Sequence, residues 1–187
     1  MKTTWSKWSV FAVAGLVVAG CASYPDEATT RQMAEKMVFE AFSASPAHMK
    51  RLEQDRSQQI CSKIGDAKLT QAESAEVVKL ARESLKYPAS GKLVGDWKIG
   101  NRLAHDGAGD PIRNGKTEKR KENGGLCQNC HALAPGEINV GNVGPGLTGF
   151  GAQRGNSEAT ARFAYEKIYN AWIYFPCSNM PRMGATG

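Results

Sequence analysis

Apolar residues recur at helical spacing along much of the chain. Intervals of three and four residues between them are typical of helices that bury one face. The predicted helices span 26–42, 46–64, 70–87, 95–104 and 157–173. The third begins at Thr70-Gln71-Ala72-Glu73, which has the pattern of a capping box. The sequence therefore predicts a mainly α protein.

The first twenty residues have the pattern of a secretory leader. A positively charged start precedes the apolar stretch 8–20, which is too short to span a bilayer as a helix. Val18-Ala19-Gly20-Cys21 resembles a bacterial lipobox, in which Cys21 becomes the acylated first residue of the mature protein. The alternative is ordinary cleavage at the small residues Gly20-x-Ala22. Both interpretations place the chain in the periplasm, and the favoured one adds a lipid as its membrane anchor.

The net charge narrows the class of partner. The formal charge is +6 at pH 7, and two of the lysines, Lys2 and Lys7, lie in the leader. The mature chain is thus mildly basic, which suits an anionic protein better than nucleic acid. The basic run at 116–121 is either a solvated loop or a surface that steers an acidic redox partner.

The stretch Cys127-Gln128-Asn129-Cys130-His131 carries the clearest chemistry. Two thiols three positions apart, followed directly by a histidine, form the attachment motif of c-type haem. One tight turn brings both sulfurs to the vinyl groups of a porphyrin edge, and the imidazole then binds the iron. A zinc site lacks the further ligands it needs here, and a thioredoxin-like pair leaves His131 unexplained. We therefore predict one covalently attached haem c.

An electron-transfer haem of the low-spin type needs a second axial ligand. A thioether is soft and neutral and raises the reduction potential relative to a second histidine. Met180 is preferred because Pro181 stiffens its loop, and Met183 is the competitor. Ligation by His105 or His48 remains an alternative, although both histidines are expected at the surface.

Two cysteines have no role in the haem motif or the leader. In an oxidising compartment, thiols left over in this way are more often bridged than free. We predict a disulfide between Cys61 and Cys177, with two buried thiols as the alternative.

The order of motifs resembles that of class I cytochromes c. After Cys-x-x-Cys-His come Gly144-Pro145-x-Leu147 and then Met180-Pro181. More specifically, the chain resembles the SoxX family, the mono-haem subunits of the SoxAX complexes of bacterial sulfur oxidation. The stretches that carry this likeness are Arg51-Leu52-x-x-Asp55, Cys61-Ser62, Tyr87-Pro88-Ala89-x-Gly91-Lys92, Gly95-Asp96-Trp97-Lys98 and Pro176-Cys177-Ser178-x-Met180-Pro181-Arg182.

The resemblance implies a fold. It implies a class I cytochrome c-like domain over 91–187, preceded by an N-terminal helical extension over 21–90 and the leader over 1–20. It also implies that the carbonyl of Pro145 orients His131. The class I fold ends in a helix, but only seven residues follow Met180 in this sequence, so that helix is expected to be missing.

The resemblance also implies partners and a reaction. A SoxA-like cytochrome would carry the catalytic haem and couple thiosulfate to a cysteine of a SoxYZ-like carrier protein, which is L-cysteine S-thiosulfotransferase chemistry. This chain, in which we expect no catalytic residue, would accept the electrons and pass them to a small soluble cytochrome. The alternatives are a freestanding class I electron carrier and, from another class, a lipid-anchored sensor whose haem binds a gas.

Overall fold

The computed structural model describes residues 24–42, 46–63, 68–114 and 116–185. In these ranges the α-helices are α1 (Glu27–Phe42), α2 (Pro46–Leu52), α3 (Arg56–Ser62), α4 (Gln71–Glu83), α5 (Trp97–His105), α6 (Phe150–Arg154) and α7 (Glu158–Tyr169). Two short antiparallel strands, β1 (Ile112–Arg113) and β2 (Lys116–Thr117), pair with Ile112 opposite Thr117. Single 3-10 turns lie at Cys127–Asn129, Ala171–Ile173 and Met183–Ala185. The described part of the chain is mainly helical, which confirms the predicted class.

The predicted leader and the lipidation residue Cys21 lie outside the described residues. Among the helices of the described ranges, none is both long enough and apolar enough to cross a bilayer.

The single helix predicted over 46–64 is wrong, because the structure forms two helices there. Asp55 begins the second of them as an N-cap: its carboxylate accepts a hydrogen bond from the Gln58 N–H at 2.8 Å. The Gln58 side chain in turn accepts from the Asp55 N–H at 2.9 Å, which completes a capping box. The Asp-x-x-Gln spacing was the signal in the sequence that the prediction missed.

The helix predicted over 157–173 also ends early, at Tyr169. Asn170 leaves the helical region with φ −152° and ψ 98°. Its side-chain oxygen then accepts from the Trp172 N–H at 3.2 Å and begins a separate 3-10 turn. After this change of direction the three residues of the turn Ala171–Ile173 lie buried in the interior.

The core joins α3 and α4 to the turn at Ala171–Ile173. Its buried members are Ile60, Val77, Ala81, Ala171, Trp172 and Ile173. Complete burial of a valine or isoleucine side chain contributes about 1.5–3 kcal/mol to stability. Helices before residue 90 and the segment after residue 170 therefore share one core, while the predicted division into an extension and a cytochrome c domain stays a prediction.

A buried carboxylate adds a second connection between the same parts of the chain. Glu166 on α7 is only 8% exposed and accepts hydrogen bonds from the hydroxyls of Tyr87 and Tyr174. Burial by itself raises the pKa of Glu166, but these hydrogen bonds and two nearby arginines hold it below the ordinary 4.5. Burial, together with the carboxylate, raises the pKa of Tyr174 to about 12. The segment after α4 is thus fixed to α7 by charge-assisted hydrogen bonds.

Candidate functional site

The paired cysteines lie on one tight turn. Leu126, which adopts a left-handed conformation with φ 44°, leads into the 3-10 turn at Cys127–Asn129. The N–H groups of Cys130 and His131 both donate to the Cys127 carbonyl, at 3.0 and 2.9 Å. Both thiols are free and half-buried, and burial raises the pKa of the Cys127 thiol. The tight turn therefore keeps the backbone of Cys127, Cys130 and His131 close together.

His131 is oriented by the loop that follows it. Its Nδ1 lies 2.7 Å from the carbonyl oxygen of Pro145. A carbonyl oxygen only accepts, so Nδ1 carries the proton and Nε2 keeps the lone pair that a metal needs. This is the contact that the resemblance to class I cytochromes c implied for Pro145.

Two glycines let this loop lie directly against the motif. A Cβ atom at Gly144 would overlap the imidazole of His131, lying 2.5 Å from Nδ1 and 2.8 Å from Nε2. A Cβ atom at Gly141 would overlap the carbonyl of Asn129 and lie 2.9 Å from the Cys130 nitrogen. Their own N–H groups donate to carbonyls of the motif, from Gly141 to Gln128 at 2.9 Å and from Gly144 to Cys130 at 2.8 Å. The Gly-x-x-Gly spacing at 141–144 is visible in the sequence, but the close approach of this loop to the motif is not predicted from it.

His105 lies partly exposed at the surface, where the sequence predicts it. At the end of α5 its Nδ1 lies 2.7 Å from the Asn101 carbonyl, and its Nε2 lies 3.0 Å from a Glu137 oxygen. The Asn101 carbonyl and then Glu137 raise the pKa of His105 above its ordinary 6.5. Both partners are oxygen acceptors, so both ring nitrogens of His105 are already engaged in hydrogen bonds. His105 is thereby disfavoured as an iron ligand. The other histidine alternative, His48, packs on the Phe42 ring with 5.8 Å between the ring centroids.

Glu137 connects α5 to the motif. Its second oxygen accepts from the Leu133 N–H at 2.7 Å, two residues after His131. The backbone N–H groups of Leu133 and Ala134, together with His105, lower the pKa of Glu137. One carboxylate thus fixes the backbone just beyond His131 and joins it to α5.

The predicted sixth ligand lies in a loop near the C-terminal end of the described chain. Met180 is half-buried against the core, and its N–H donates to the Ser178 hydroxyl at 3.2 Å. Met183 lies close to the motif: its methyl group is 3.6 Å from the place that a Cβ atom of Gly125 would occupy, beside Cys127. The structure thus leaves both thioethers as candidates, and ligation by Met180 stays a prediction.

Cys61 and Cys177 form a disulfide in the structure, with their Cα atoms 5.4 Å apart. This is the pairing that the sequence analysis expected. It joins α3 to the loop that contains Met180 across a sequence separation of 116 residues.

Two of the four basic residues in the run at 116–121 pair with nearby carboxylates. Lys119 pairs with Asp110 at 3.0 Å, and Arg120 pairs with Asp106 at 3.6 Å. The Arg120 N–H also donates to Asp110, and these contacts lower the pKa of that carboxyl group. The pairing favours the interpretation of this run as a structured loop over that of an open steering surface.

The donor set agrees with a covalent haem. The described turn offers two free thiols three positions apart in the sequence and an imidazole whose Nδ1–H is fixed to a carbonyl. Within the described ranges, no three His, Cys, Asp or Glu side chains gather into a group that could hold a bare metal ion.

Fold and site together define a mainly helical chain with a turn that carries two cysteines and a histidine. No protein-family model matches it. The chain is similar to a protein of Aquifex aeolicus (strain VF5) named "Uncharacterized lipoprotein", with 36% identity over 134 residues. The match covers 72% of this chain and 62% of that relative, so the chain spans less than two thirds of the relative's length.

Proposed function

We propose that this chain is an exported mono-haem c-type cytochrome that relays electrons during thiosulfate oxidation. The observation that carries the proposal is the hydrogen bond from His131 Nδ1–H to the Pro145 carbonyl, next to two free thiols at haem-attachment spacing. A metal-binding histidine is commonly held in this way: one ring N–H donates to a carbonyl, which leaves the other nitrogen with the lone pair for the metal.

Each residue of the site has a distinct role in this proposal. Cys127 and Cys130 would hold the haem through thioether bonds, and His131 would bind the iron through Nε2. Pro145 fixes the imidazole, and Met180 would be the sixth ligand. The bound haem would supply one-electron chemistry between ferric and ferrous iron.

The likeness to the SoxX family supports a partner and a reaction. A SoxA-like subunit would join the sulfur of a carrier cysteine to the outer sulfur of thiosulfate. This coupling forms a sulfur–sulfur bond and releases one proton and two electrons. The present chain would accept these electrons singly and pass them to a small soluble cytochrome.

We also propose that Cys21 is acylated and tethers the protein to a membrane surface on the periplasmic side. The lipobox-like Val18-Ala19-Gly20-Cys21 supports this, and so does the name of the Aquifex aeolicus relative. A Cys21→Ser variant should move from the membrane fraction to the soluble periplasmic fraction. Equal fractionation of variant and wild type would count against the anchor.

Haem attachment is tested by the intact mass of the protein exported with haem-attachment machinery. The wild type should gain one haem that survives denaturation, whereas Cys130→Ser should hold the haem by a single thioether bond and in lower yield. Gln128→Ala, which lies between the cysteines but supplies no bond, is the matched control and should attach haem normally. A wild-type protein without covalent haem would contradict the proposal.

The partner is tested by co-expression with a SoxA-like subunit. We expect the two chains to purify together, and thiosulfate with the carrier protein to reduce the haem of this chain. A monomer that ignores thiosulfate but exchanges electrons rapidly with a small cytochrome would point to the freestanding carrier. Binding of carbon monoxide to the reduced wild type would point to the gas sensor.

A further inference from the structure

The segment 176–183, which we call the Met180 loop, is tied to both ends of one short helix. At one side Cys177 is bonded to Cys61, in the last turn of α3. At the other side the guanidinium of Arg182 lies 2.8 Å from the carboxylate of Asp55, the N-cap of the same helix. Met180 lies between these two ties in the sequence.

The tie at Arg182 is shielded and well oriented. The Arg182 side chain is 15% exposed, and its guanidinium stacks 4.5 Å from the centroid of the Trp172 ring. Stacking of this kind restricts the guanidinium plane and favours a directional ion pair. Asp55 is 49% exposed, so solvent screens part of the attraction. The ion pair therefore sets orientation more than stability.

Further contacts fix the loop between its two ends. The indole N–H of Trp172 donates to the Ser178 carbonyl at 2.8 Å, and the Ser178 hydroxyl accepts from the Met180 N–H at 3.2 Å. Cys177 itself has φ 60°, in the left-handed region that non-glycine residues rarely adopt. Such a conformation persists where the surroundings hold it, and here the disulfide does so.

We propose that the Cys61–Cys177 disulfide and the Asp55–Arg182 ion pair are positioning groups that hold Met180 on the iron. The inference rests on the proposed function, because it presumes a haem with His131 and Met180 as its axial ligands. A methionine–iron bond in a c-type cytochrome competes with other ligands, so a loop held at both ends keeps the thioether close when the bond opens. Loss of either tie weakens that bond without affecting the attachment of the haem through Cys127 and Cys130.

Imidazole provides the measurement, because it displaces a thioether from ferric iron. The weak long-wavelength band of the thioether–iron bond is followed while imidazole is added. In a Cys61→Ser/Cys177→Ser double variant the half-maximal concentration should fall about tenfold, equivalent to about 1.4 kcal/mol. In Asp55→Asn it should fall about threefold, as expected for a partly screened ion pair.

Asp55→Asn is designed to leave α3 folded, because asparagine is as good an N-cap as aspartate. Glu76→Gln is the matched control. Glu76 lies on α4 and pairs with Arg56 of α3 at 2.8 Å, and this pair lies outside the Met180 loop. The control should need the wild-type concentration of imidazole. If the double variant does not fold, the comparison of Asp55→Asn with Glu76→Gln decides.

Three results would overturn the proposal. If the half-maximal imidazole concentration is the same in the wild type, in Asp55→Asn and in the double variant, the positioning role is refuted. The assignment as a cytochrome then stays intact. Equal shifts in Asp55→Asn and Glu76→Gln would show a general effect on α3. A wild type with attached haem but no thioether band would refute Met180 ligation, and this proposal with it. Peptide mapping of the exported protein, in which the Cys61 and Cys177 peptides should be linked, checks the disulfide itself.

Discussion

The two loops that would face the iron are held in different ways. The loop at 126–147 is fixed mainly to itself: the His131–Pro145 hydrogen bond spans 14 residues, and Gly141 and Gly144 bond back to the motif. The Met180 loop is fixed to a distant helix, through a disulfide that spans 116 residues and an ion pair with Asp55. One side of the site is local in sequence and the other depends on the complete fold.

This difference has a physical consequence for assembly. Local contacts close small loops at low entropic cost, so the geometry around His131 can form before the rest of the chain. The contacts that hold the Met180 loop come from α3 and the core, which are distant in sequence. Attachment of the haem and completion of its coordination are thus expected to be separable by mutation.

The largest expected effect comes from removing the disulfide. For a closed loop of this length, the Cys61→Ser/Cys177→Ser variant should lose about 4–5 kcal/mol of unfolding free energy, since the unfolded chain gains freedom. Unfolding in guanidinium chloride gives the value, and addition of a thiol reductant to the wild type should reproduce it. Equal stability with and without reductant would mean that the bond contributes nothing to the fold.

A Gly144→Ala variant attacks the other loop. The added methyl group must displace the imidazole of His131 or the backbone, which costs about 1–3 kcal/mol in a well-packed site. We expect a lower yield of attached haem and altered ligation by His131. Gly146→Ala is the control, because a Cβ atom there meets nothing within 4 Å. Identical haem yields and spectra in the two variants would contradict the close approach at Gly144.

The smallest effect concerns the pair of His105 and Glu137, which joins the His131 loop to α5. The pKa of His105 is raised, so its contribution to stability is complete below the ordinary 6.5 and is lost as pH rises through the folded value. The pKa of Glu137 is lowered, so its contribution is complete above the ordinary 4.5 and is lost as pH falls. The stability difference between wild type and His105→Gln should therefore be greatest between these two values and shrink as pH rises through the raised pKa of His105. A difference that does not change with pH would show that the pair is uncharged.

The sequence predicted what depends on neighbouring residues. The capping box at Thr70 and the helices around Met33 and Val77 follow from spacing alone, and the structure has both. The Cys-x-x-Cys-His motif is equally local, and haem attachment to it stays a prediction. The break between α2 and α3 at Asp55 has a local signal in the Asp-x-x-Gln capping pattern, but the apolar spacing alone predicts one continuous helix. The pairs Arg182–Asp55 and His105–Glu137 join distant or irregular segments, and no local pattern specifies such partners.

The disulfide is a separate case. Elimination and compartment predict the pairing of its two cysteines, but no local pattern specifies that Cys177 lies against α3. That reason lies in the core, where Ile60 and Trp172 bring the two segments together. Distances of this kind follow from tertiary packing and not from spacing along the chain.

The most direct test of the central claim is the ferric visible spectrum of the exported wild type, Met180→Ala and Met183→Ala. The account predicts covalent haem in all three, with the thioether–iron band present in the wild type and Met183→Ala and lost in Met180→Ala. A band that disappears only in Met183→Ala would move the ligand to the residue beside the haem motif. A wild type with no covalent haem would contradict the assignment of this chain as a c-type cytochrome.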